Sequence, residues 1–270
     1  MDSIWDCFPG SFPAADVLAS TRSTACVDAT DLPVERTHPV HEDQPIAPGI
    51  ETSVPFPPPG VRVVVCDVVG TLVEPWPPVP LAYQRAAARQ GIECSPDALR
   101  SRFADAWRRQ ELIDGASLPP FATGRQRERE RWRGIVHEVF AADAPEEVRE
   151  GVFQDLWAHF AEPTSWRPLP WGTRLARAAL DAGCELALAS NFDERLLAIA
   201  GRIEPLSWAS HVFASSEIGW RKPAPQFFSA IEERLGRGPG ELLLVGDDPR
   251  LDIAAAHAAG WRALSVGPGH

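Results

Sequence analysis

The chain has 270 residues, of which 44% are hydrophobic, and a formal net charge of −11. This content can build one sizeable core and a smaller second domain. The acidic balance argues against nucleic acid or an anionic membrane as the main partner, and no apolar run is long enough to span a membrane. The five cysteines show no CxxC or zinc-type spacing. We therefore expect a soluble, cytoplasmic protein that binds neither nucleic acid nor membrane.

Residues 1–60 differ in composition from the rest of the chain. They hold ten of the 27 prolines and nine acidic residues against two arginines, without sustained periodicity. Such a segment has little apolar surface to bury, so we expect a disordered tail. Its first residues, MDSIWDCFPGSF, lack the basic start and apolar block of a signal peptide.

From residue 61 the pattern changes to alternating strands and helices. A first apolar run ends at Asp67, and later strand candidates cover residues 184–189, 211–214, 241–245 and 261–266. Helical stretches separate them at residues 173–182, 224–235 and 251–259. This alternation predicts βαβ units and an α/β fold with a parallel sheet, in which active groups collect at the carboxyl ends of the strands.

An insertion at residues 77–171 separates the first strand from the second and divides the predicted core into residues 61–76 and 172–270. Its helical segments are predicted at residues 81–90, 96–112, 123–140 and 145–160. Because the insertion follows the tip of the first strand, we expect a helical cap over the active end of the sheet. The run RQRERERWR at residues 125–133 is either an anion-binding patch or a solvated helix face with Glu–Arg pairs, and we favour the solvated face.

Polar residues follow the predicted strands at four places, which are Asp67, Ser190 with Asn191, Lys222, and Asp247 with Asp252. Each is ordinary alone, as a turn, a loop or a helix cap. Together, the carboxylates suit Mg²⁺, and the hydroxyl, amide and ammonium groups suit a phosphoryl group. An aspartate can then act as the nucleophile. Lys222 and Asn191 are the only lysine and the only asparagine of the chain.

These motifs, in this order, resemble the haloacid dehalogenase-like hydrolase superfamily. The matching elements are Asp67-x-x-Gly-Thr-Leu, Ser190-Asn191, Lys222-Pro223, and Gly246-Asp247 with Asp252. The resemblance covers residues 61–267 and is closest to the subgroup with a helical cap inserted after the first motif. It implies a Rossmann-like core and Mg²⁺-dependent phosphoryl transfer from a small phosphorylated substrate through an aspartyl intermediate.

The resemblance also implies a role for each matching residue. Asp67 would be the nucleophile and a metal ligand, and Asp247 and the carbonyl of Val69 would complete the protein's share of the metal site. Asp252 would support the metal indirectly, through the residues that bind it. Lys222 would tie Asp67 to the phosphoryl oxygens. The implied phosphate-binding residues are Ser190, Asn191 and Thr71.

Val69 departs from the family pattern. Most phosphatases of the family carry a second aspartate there, which protonates the leaving group and later activates water. General acid–base help is worth about 10² to 10⁴ in rate, so valine should restrict the site to leaving groups that need no proton, as in acyl phosphates or pyrophosphates. Activity would otherwise be slow.

Three interpretations of the site remain, and we favour the hydrolase. A dehalogenase is disfavoured because those enzymes carry an aromatic residue at the position of Val69 and lack the metal aspartate, whereas Asp247 is present. A phosphonate-cleaving enzyme is disfavoured because the cap contains no lysine. The alternative is a weak or inactive protein of the same fold that binds a ligand or partner. The substrate and the oligomeric state stay open.

Overall fold

The computed structural model describes residues 56–267, so residues 1–55 of the predicted tail lie outside the described residues. Within this range the strands are β1 (Val63–Cys66), β2 (Val73–Pro75), β3 (Trp166–Pro168), β4 (Glu185–Ser190), β5 (His211–Ala214), β6 (Leu242–Gly246) and β7 (Arg262–Ser265). The helices are α1 (Val79–Arg89), α2 (Pro96–Ala116), α3 (Arg125–Val139), α4 (Glu146–His159), α5 (Pro170–Asp181), α6 (Arg195–Ala200), α7 (Ser215–Ile218), α8 (Pro225–Leu235) and α9 (Ala255–Ala258). A π-helical segment, Pro249–Ala254, precedes α9. No helix in the described range is both long and apolar enough to cross a membrane.

Five of the strands form a parallel sheet in the order β5-β4-β1-β6-β7. The central strand, β1, is buried along its whole length, because its alternate side chains enter two apolar clusters on opposite faces of the sheet. Val64 and Cys66 belong to one cluster, and Val63 and Val65 belong to the other. The predicted α/β fold with a Rossmann-like parallel sheet is confirmed.

The register of the sheet brings the polar strand ends together. Cys66 pairs with Leu188 of β4 and with Val245 of β6. The residue after Cys66 therefore emerges level with the ends of both neighbouring strands. β4 ends at Ser190, and β6 ends one residue before Asp247.

Helices α1 to α4 pack into a bundle with an apolar core of its own. Tyr83 of α1 lies at its centre, with its ring edge-on to Phe103 at 5.4 Å and stacked on Phe140 at 6.2 Å. The chain passes from the parallel sheet into this bundle through β2 and returns to the sheet through β3. These two strands pair as a short antiparallel ribbon. Each ribbon strand is three residues long, so no alternating pattern in the sequence predicts it.

The favoured interpretation of the RQRERERWR run is wrong for part of α3. Glu128 and Arg131 are each only 1% exposed, and their partners come from other elements. Glu128 accepts from Arg221 at 2.7 Å, and Arg131 donates to Asp114 at 2.7 Å. Sequence periodicity could not reveal these partners, because Arg221 lies 93 residues from Glu128 along the chain.

Candidate active site

Asp67 is held at the carboxyl edge of the sheet by its own backbone. Its N–H donates to the Val245 carbonyl of β6 at 2.8 Å, which continues the ladder one residue beyond β1. The chain then turns sharply at Gly70, whose φ of +87° lies in the left-handed region that favours glycine. In this turn Gly70 N–H donates to the Val73 carbonyl at 2.8 Å. The Asp67 side chain is thereby fixed beside the ends of β4 and β6.

Lys222 joins two aspartates in the interior of the site. Its Nζ lies 2.6 Å from Asp67 Oδ1 and 2.5 Å from Asp252 Oδ1, and it donates a third bond to the Ala189 carbonyl at 3.2 Å. All three N–H bonds of the ammonium are therefore used. Burial alone would lower the pKa of Lys222, but the charges of Asp252 and Asp67 outweigh it and raise that pKa, so the lysine stays charged.

Asp67, Asp247 and Asp252 form a group that we call the carboxylate cluster. Each offers one oxygen, and these oxygens lie within 4.8 Å of one another. Burial raises the pKa of Asp67 to about 6, against the opposing effect of Lys222. Burial, followed by the charges of Asp67 and Asp252, raises the pKa of Asp247 to about 8. The cluster thus has more negative charge than Lys222 balances.

The carboxylate cluster fits a divalent cation with oxygen ligands. Such a cation would compensate the excess charge, and Mg²⁺ commonly binds one or two carboxylates together with water and substrate phosphate. Asp252 is already engaged on both oxygens, by Lys222 and by the Asp248 N–H at 3.1 Å. Asp67 and Asp247 are therefore the side chains suited to hold the ion directly, and Asp252 is suited to support them.

Among the predicted phosphate-binding residues, Ser190 lies beside Asp67 of the carboxylate cluster. It ends β4, lines the cavity in front of Asp67, and lies near enough for its hydroxyl to lower the pKa of Asp67. Asn191 also lines this cavity. Its side chain, however, makes hydrogen bonds to both the N–H and the carbonyl of Lys222. Its Oδ1 accepts from the Lys222 N–H at 2.7 Å, and its Nδ2 donates to the Lys222 carbonyl at 3.0 Å. Asn191 thus positions Lys222.

Thr71 also has a protein partner in place of the predicted phosphate. The residue is fully buried, and its hydroxyl donates to Asp247 Oδ1 at 3.1 Å. This bond orients the Asp247 carboxylate and leaves its second oxygen available. The structure therefore gives Thr71 a role in placing the Asp247 carboxylate.

Val69 lines the cavity beside Asp67, as its position two residues further on predicts. Its side chain is half-buried and offers no group that exchanges a proton. The hydrogen bonds of the turn link Gly70 to Val73 and Val73 to Val68, so none of them uses the Val69 carbonyl. That carbonyl remains a candidate third ligand for the cation.

Two neighbouring residues act as structural supports that the sequence motifs only partly indicate. Asp248 caps the π-helical segment, since its Oδ1 accepts from the Arg250 and Leu251 N–H groups at 2.7 and 2.8 Å. Gly246 leaves room for the Asp252 carboxylate, because a Cβ there would lie 2.4 Å from Asp252 Cγ. Of these two adjacent aspartates, Asp247 therefore belongs to the carboxylate cluster, and Asp248 caps the π-helical segment.

A buried ionic group lies next to the site and was not predicted from the sequence. We call it the arginine network, and it consists of Arg131 and Arg221 with Glu111, Asp114 and Glu128. It joins α2 and α3 of the helical bundle to the loop that carries Lys222. The charge run of α3 contains two members of the network, Glu128 and Arg131. Their partners are distant in the sequence and are brought to them only by folding.

The parallel sheet and the site at its edge define a class of α/β proteins with a carboxylate-centred site after the central strand. A family model described as haloacid dehalogenase-like hydrolase matches residues 61–260. The chain belongs to this family of hydrolases, and the resemblance read from its motifs is confirmed.

Relatives of the chain carry the same family name or the same fold. The human haloacid dehalogenase-like hydrolase domain-containing protein 3 is 29% identical over 212 residues, covering 77% of this chain and 83% of that protein. The structure of a defluorinating L-2-haloacid dehalogenase is similar with a TM-score of 0.62, 23% identity and coverage of 80% of this chain and 89% of its own. A predicted phosphoglycolate phosphatase from Haemophilus somnus gives a TM-score of 0.55 and 19% identity, with coverage of 76% and 85%. At these identities the structural matches show the fold.

Proposed function

We propose that the protein is a Mg²⁺-dependent phosphohydrolase that transfers a phosphoryl group to Asp67. The observation that carries the proposal is the pairing of Asp67 with a buried, charged lysine at 2.6 Å beside a second carboxylate that fits a cation. A nucleophilic carboxylate must be ionised, and the lysine favours its ionised form. Mg²⁺ held by Asp67 and Asp247 would add the positive charge that stabilises a transferring phosphoryl group.

Each residue around Asp67 has a separate role in the proposed reaction. Lys222 uses one N–H on Asp67 and another on Asp252, so it holds the nucleophile in one orientation. Asn191 fixes the backbone of that lysine, and Thr71 fixes the Asp247 carboxylate. The hydroxyl of Ser190, which lies beside Asp67, would donate to a phosphoryl oxygen.

Val69 sets a limit on the proposed chemistry. Without a carboxyl group at this position, the residue two places after Asp67 delivers no proton to the leaving oxygen as the bond to phosphorus breaks. The reaction is then fastest when the leaving group is stable as an anion. The proposed substrates are therefore phosphates of acidic groups.

A second candidate function is favoured by the same valine. If Val69 has removed catalysis, the carboxylate cluster would serve a protein that binds a phosphorylated ligand or a partner without turning it over. The intact Lys222 contacts favour the hydrolase, because a binding site has no need of a nucleophile held by a buried ammonium.

Hydrolysis of acetyl phosphate tests the proposal, because its leaving group needs no proton. We expect phosphate release that requires Mg²⁺, stops with a chelator and is abolished in Asp67→Asn. The phosphoryl group should also be found on Asp67 by mass spectrometry after acid quenching. Binding of acetyl phosphate without any turnover would support the binding protein. Halide release from a 2-haloacid, in the absence of phosphatase activity, would support a dehalogenase.

A further inference from the structure

The cavity in front of Asp67 extends into the helical bundle and forms what we call the aromatic chamber. Its volume is about 140 Å³. All four helices of the bundle contribute aromatic side chains to its wall. These are Tyr83 of α1, Phe103 and Trp107 of α2, Trp132 of α3, and Phe153 and Trp157 of α4. Beside the ribbon and β4 the wall continues with Phe160, Trp166 and Phe192.

The wall of the aromatic chamber offers a ligand no unengaged charge on the bundle side. Among the described lining residues, the acids and Lys222 lie at the sheet edge, and the remaining charged residue is Arg195. Its guanidinium bonds Asp193 twice at 2.7 Å, donates to the Trp157 carbonyl at 2.9 Å and lies 3.6 Å from the Trp157 ring centroid. A second phosphate, a carboxylate or an amine on the substrate would find no counter-charge there.

Tyr83 gives the wall of the chamber a polar group. It is the only tyrosine of the chain and is 2% exposed. Burial raises the pKa of Tyr83, so the hydroxyl keeps its proton.

The size of the chamber limits the ligand further. An apolar cavity of about 150 Å³ accommodates a benzene ring. The chamber, at about 140 Å³, is of similar volume, so a single ring matches its aromatic part, and the phosphate would lie at the carboxylate cluster. The aromatic walls favour a flat, apolar group over a sugar.

We propose that the substrate is a phosphate carried on a single aromatic ring through an acidic oxygen, as in an aroyl or aryl phosphate. This inference rests on the proposed function. Two separate features support it: Val69 requires a leaving group that departs without a proton, and the chamber requires that the leaving group be a small aromatic group. An aromatic carboxylate or a phenolate meets both requirements.

The reaction balances without further reactants except water. An Asp67 oxygen forms a bond to phosphorus, the bond between phosphorus and the leaving oxygen breaks, and the leaving oxygen keeps the electron pair as a carboxylate or phenolate. Water then forms a bond to phosphorus and the bond to Asp67 breaks. The products are orthophosphate, one proton and the regenerated Asp67 carboxylate.

Benzoyl phosphate and acetyl phosphate form the matched substrate pair for the test. Both release a carboxylate, so they differ chiefly in the ring. We expect kcat/KM to be at least about tenfold higher for benzoyl phosphate, from burial of the ring. Val136 of α3 also lines the chamber, so Val136→Phe should fill it and bring the ratio of the two kcat/KM values close to one. Equal kcat/KM values in the unmodified protein would overturn the inference while leaving the proposed function intact.

A binding measurement keeps the inference testable if turnover is absent or Val136→Phe fails to fold. Phenylphosphonate and methylphosphonate are not hydrolysed, and calorimetry can compare them on the unmodified full chain. Binding of phenylphosphonate at least about tenfold tighter than methylphosphonate would support the chamber's ligand class even if the proposed function fails. Equal affinity, or no affinity for either, would contradict the chamber as an aromatic site.

Discussion

Val69 lies two residues after Asp67 and lines the same cavity, so a carboxyl group at this position would face the reacting atoms. We expect Val69→Asp to raise activity toward an alkyl phosphate by up to about 10², because it supplies the missing proton donor. An activated aryl phosphate should gain much less. The measurement is kcat/KM for both substrates in the same preparation.

Val69→Asn is the matched control for this substitution, because it has nearly the same size and polarity but no proton to exchange. It should leave alkyl phosphate hydrolysis at its original level. A folded, Mg²⁺-binding Val69→Asp variant with no gain on either substrate would contradict the missing-acid explanation. The binding protein would then be the better interpretation.

Asp247 and Asp248 are adjacent, but they have different structural roles. Asp247 joins the carboxylate cluster, whereas Asp248 caps a helical segment. A cation that binds only the folded protein raises its melting temperature, so Mg²⁺ should stabilise the unmodified chain. We expect Asp247→Asn to abolish most of that Mg²⁺-induced increase. Thermal unfolding with and without Mg²⁺ provides the measurement.

Asp248→Asn is the control, because asparagine also caps a helix well. It should retain the increase in melting temperature that Mg²⁺ produces. If both variants respond to Mg²⁺ as the unmodified protein does, the ion does not bind at Asp247.

The sequence was sufficient to predict which residues gather at the sheet edge, and insufficient to predict what each one touches. Asp67, Ser190, Lys222 and Asp247 follow strands or precede helices, and the βαβ rules bring such positions together. The contacts of Thr71 depend on a partner 176 residues away, Asp247, which directly follows β6. Which acceptor a hydroxyl finds is decided by side-chain packing after the sheet forms.

At the scale of secondary-structure elements, α3 shows why charge patterns were ambiguous. Its Arg and Glu residues look alike in sequence, yet Arg125 pairs at the surface with Glu217 of α7, while Glu128 and Arg131 enter the arginine network. The Arg221 and Arg131 charges overcome the effect of burial and lower the pKa of Glu128, so it stays ionised. Helix periodicity gives the face of a residue but not the surface that covers that face.

The arginine network leads to a prediction about stability. Removing one partner of a buried ion pair leaves an uncompensated charge, so Glu128→Gln should lower the free energy of unfolding by about 3 kcal/mol. Since Arg221 directly precedes Lys222, we also expect a lower kcat. Denaturant unfolding and acetyl phosphate hydrolysis measure the two effects.

Glu217→Gln on α7 is the matched control, because it removes a carboxylate that also pairs with an arginine of α3, but at the surface. Its effect should be below about 1 kcal/mol. Equal effects of the two substitutions would show that burial of the arginine network adds nothing to stability.

At the scale of the whole molecule, three attachments of the helical bundle to the parallel sheet stand out among the described residues. The first is the ribbon of β2 and β3. The second is the arginine network, beside which Phe121 accepts a backbone bond from Arg221 at 3.0 Å. The third is Arg195 of α6, which stacks on Trp157 of α4. The bundle and the sheet form the walls of the cavity together, because residues of both line it.

These attachments predict that the bundle and the sheet unfold as one unit. Opening the bundle alone would expose the charges of the arginine network without their partners, which makes partial unfolding unfavourable. Native-state hydrogen exchange should therefore give the amides of Ile135 in α3 and Leu156 in α4 the same opening free energy as that of Val64 in β1. In Glu128→Gln the two bundle amides should exchange through a separate, lower-energy opening while Val64 keeps the global value. Lower protection of the bundle amides in the unmodified chain would show that the ribbon and the arginine network do not couple the two parts.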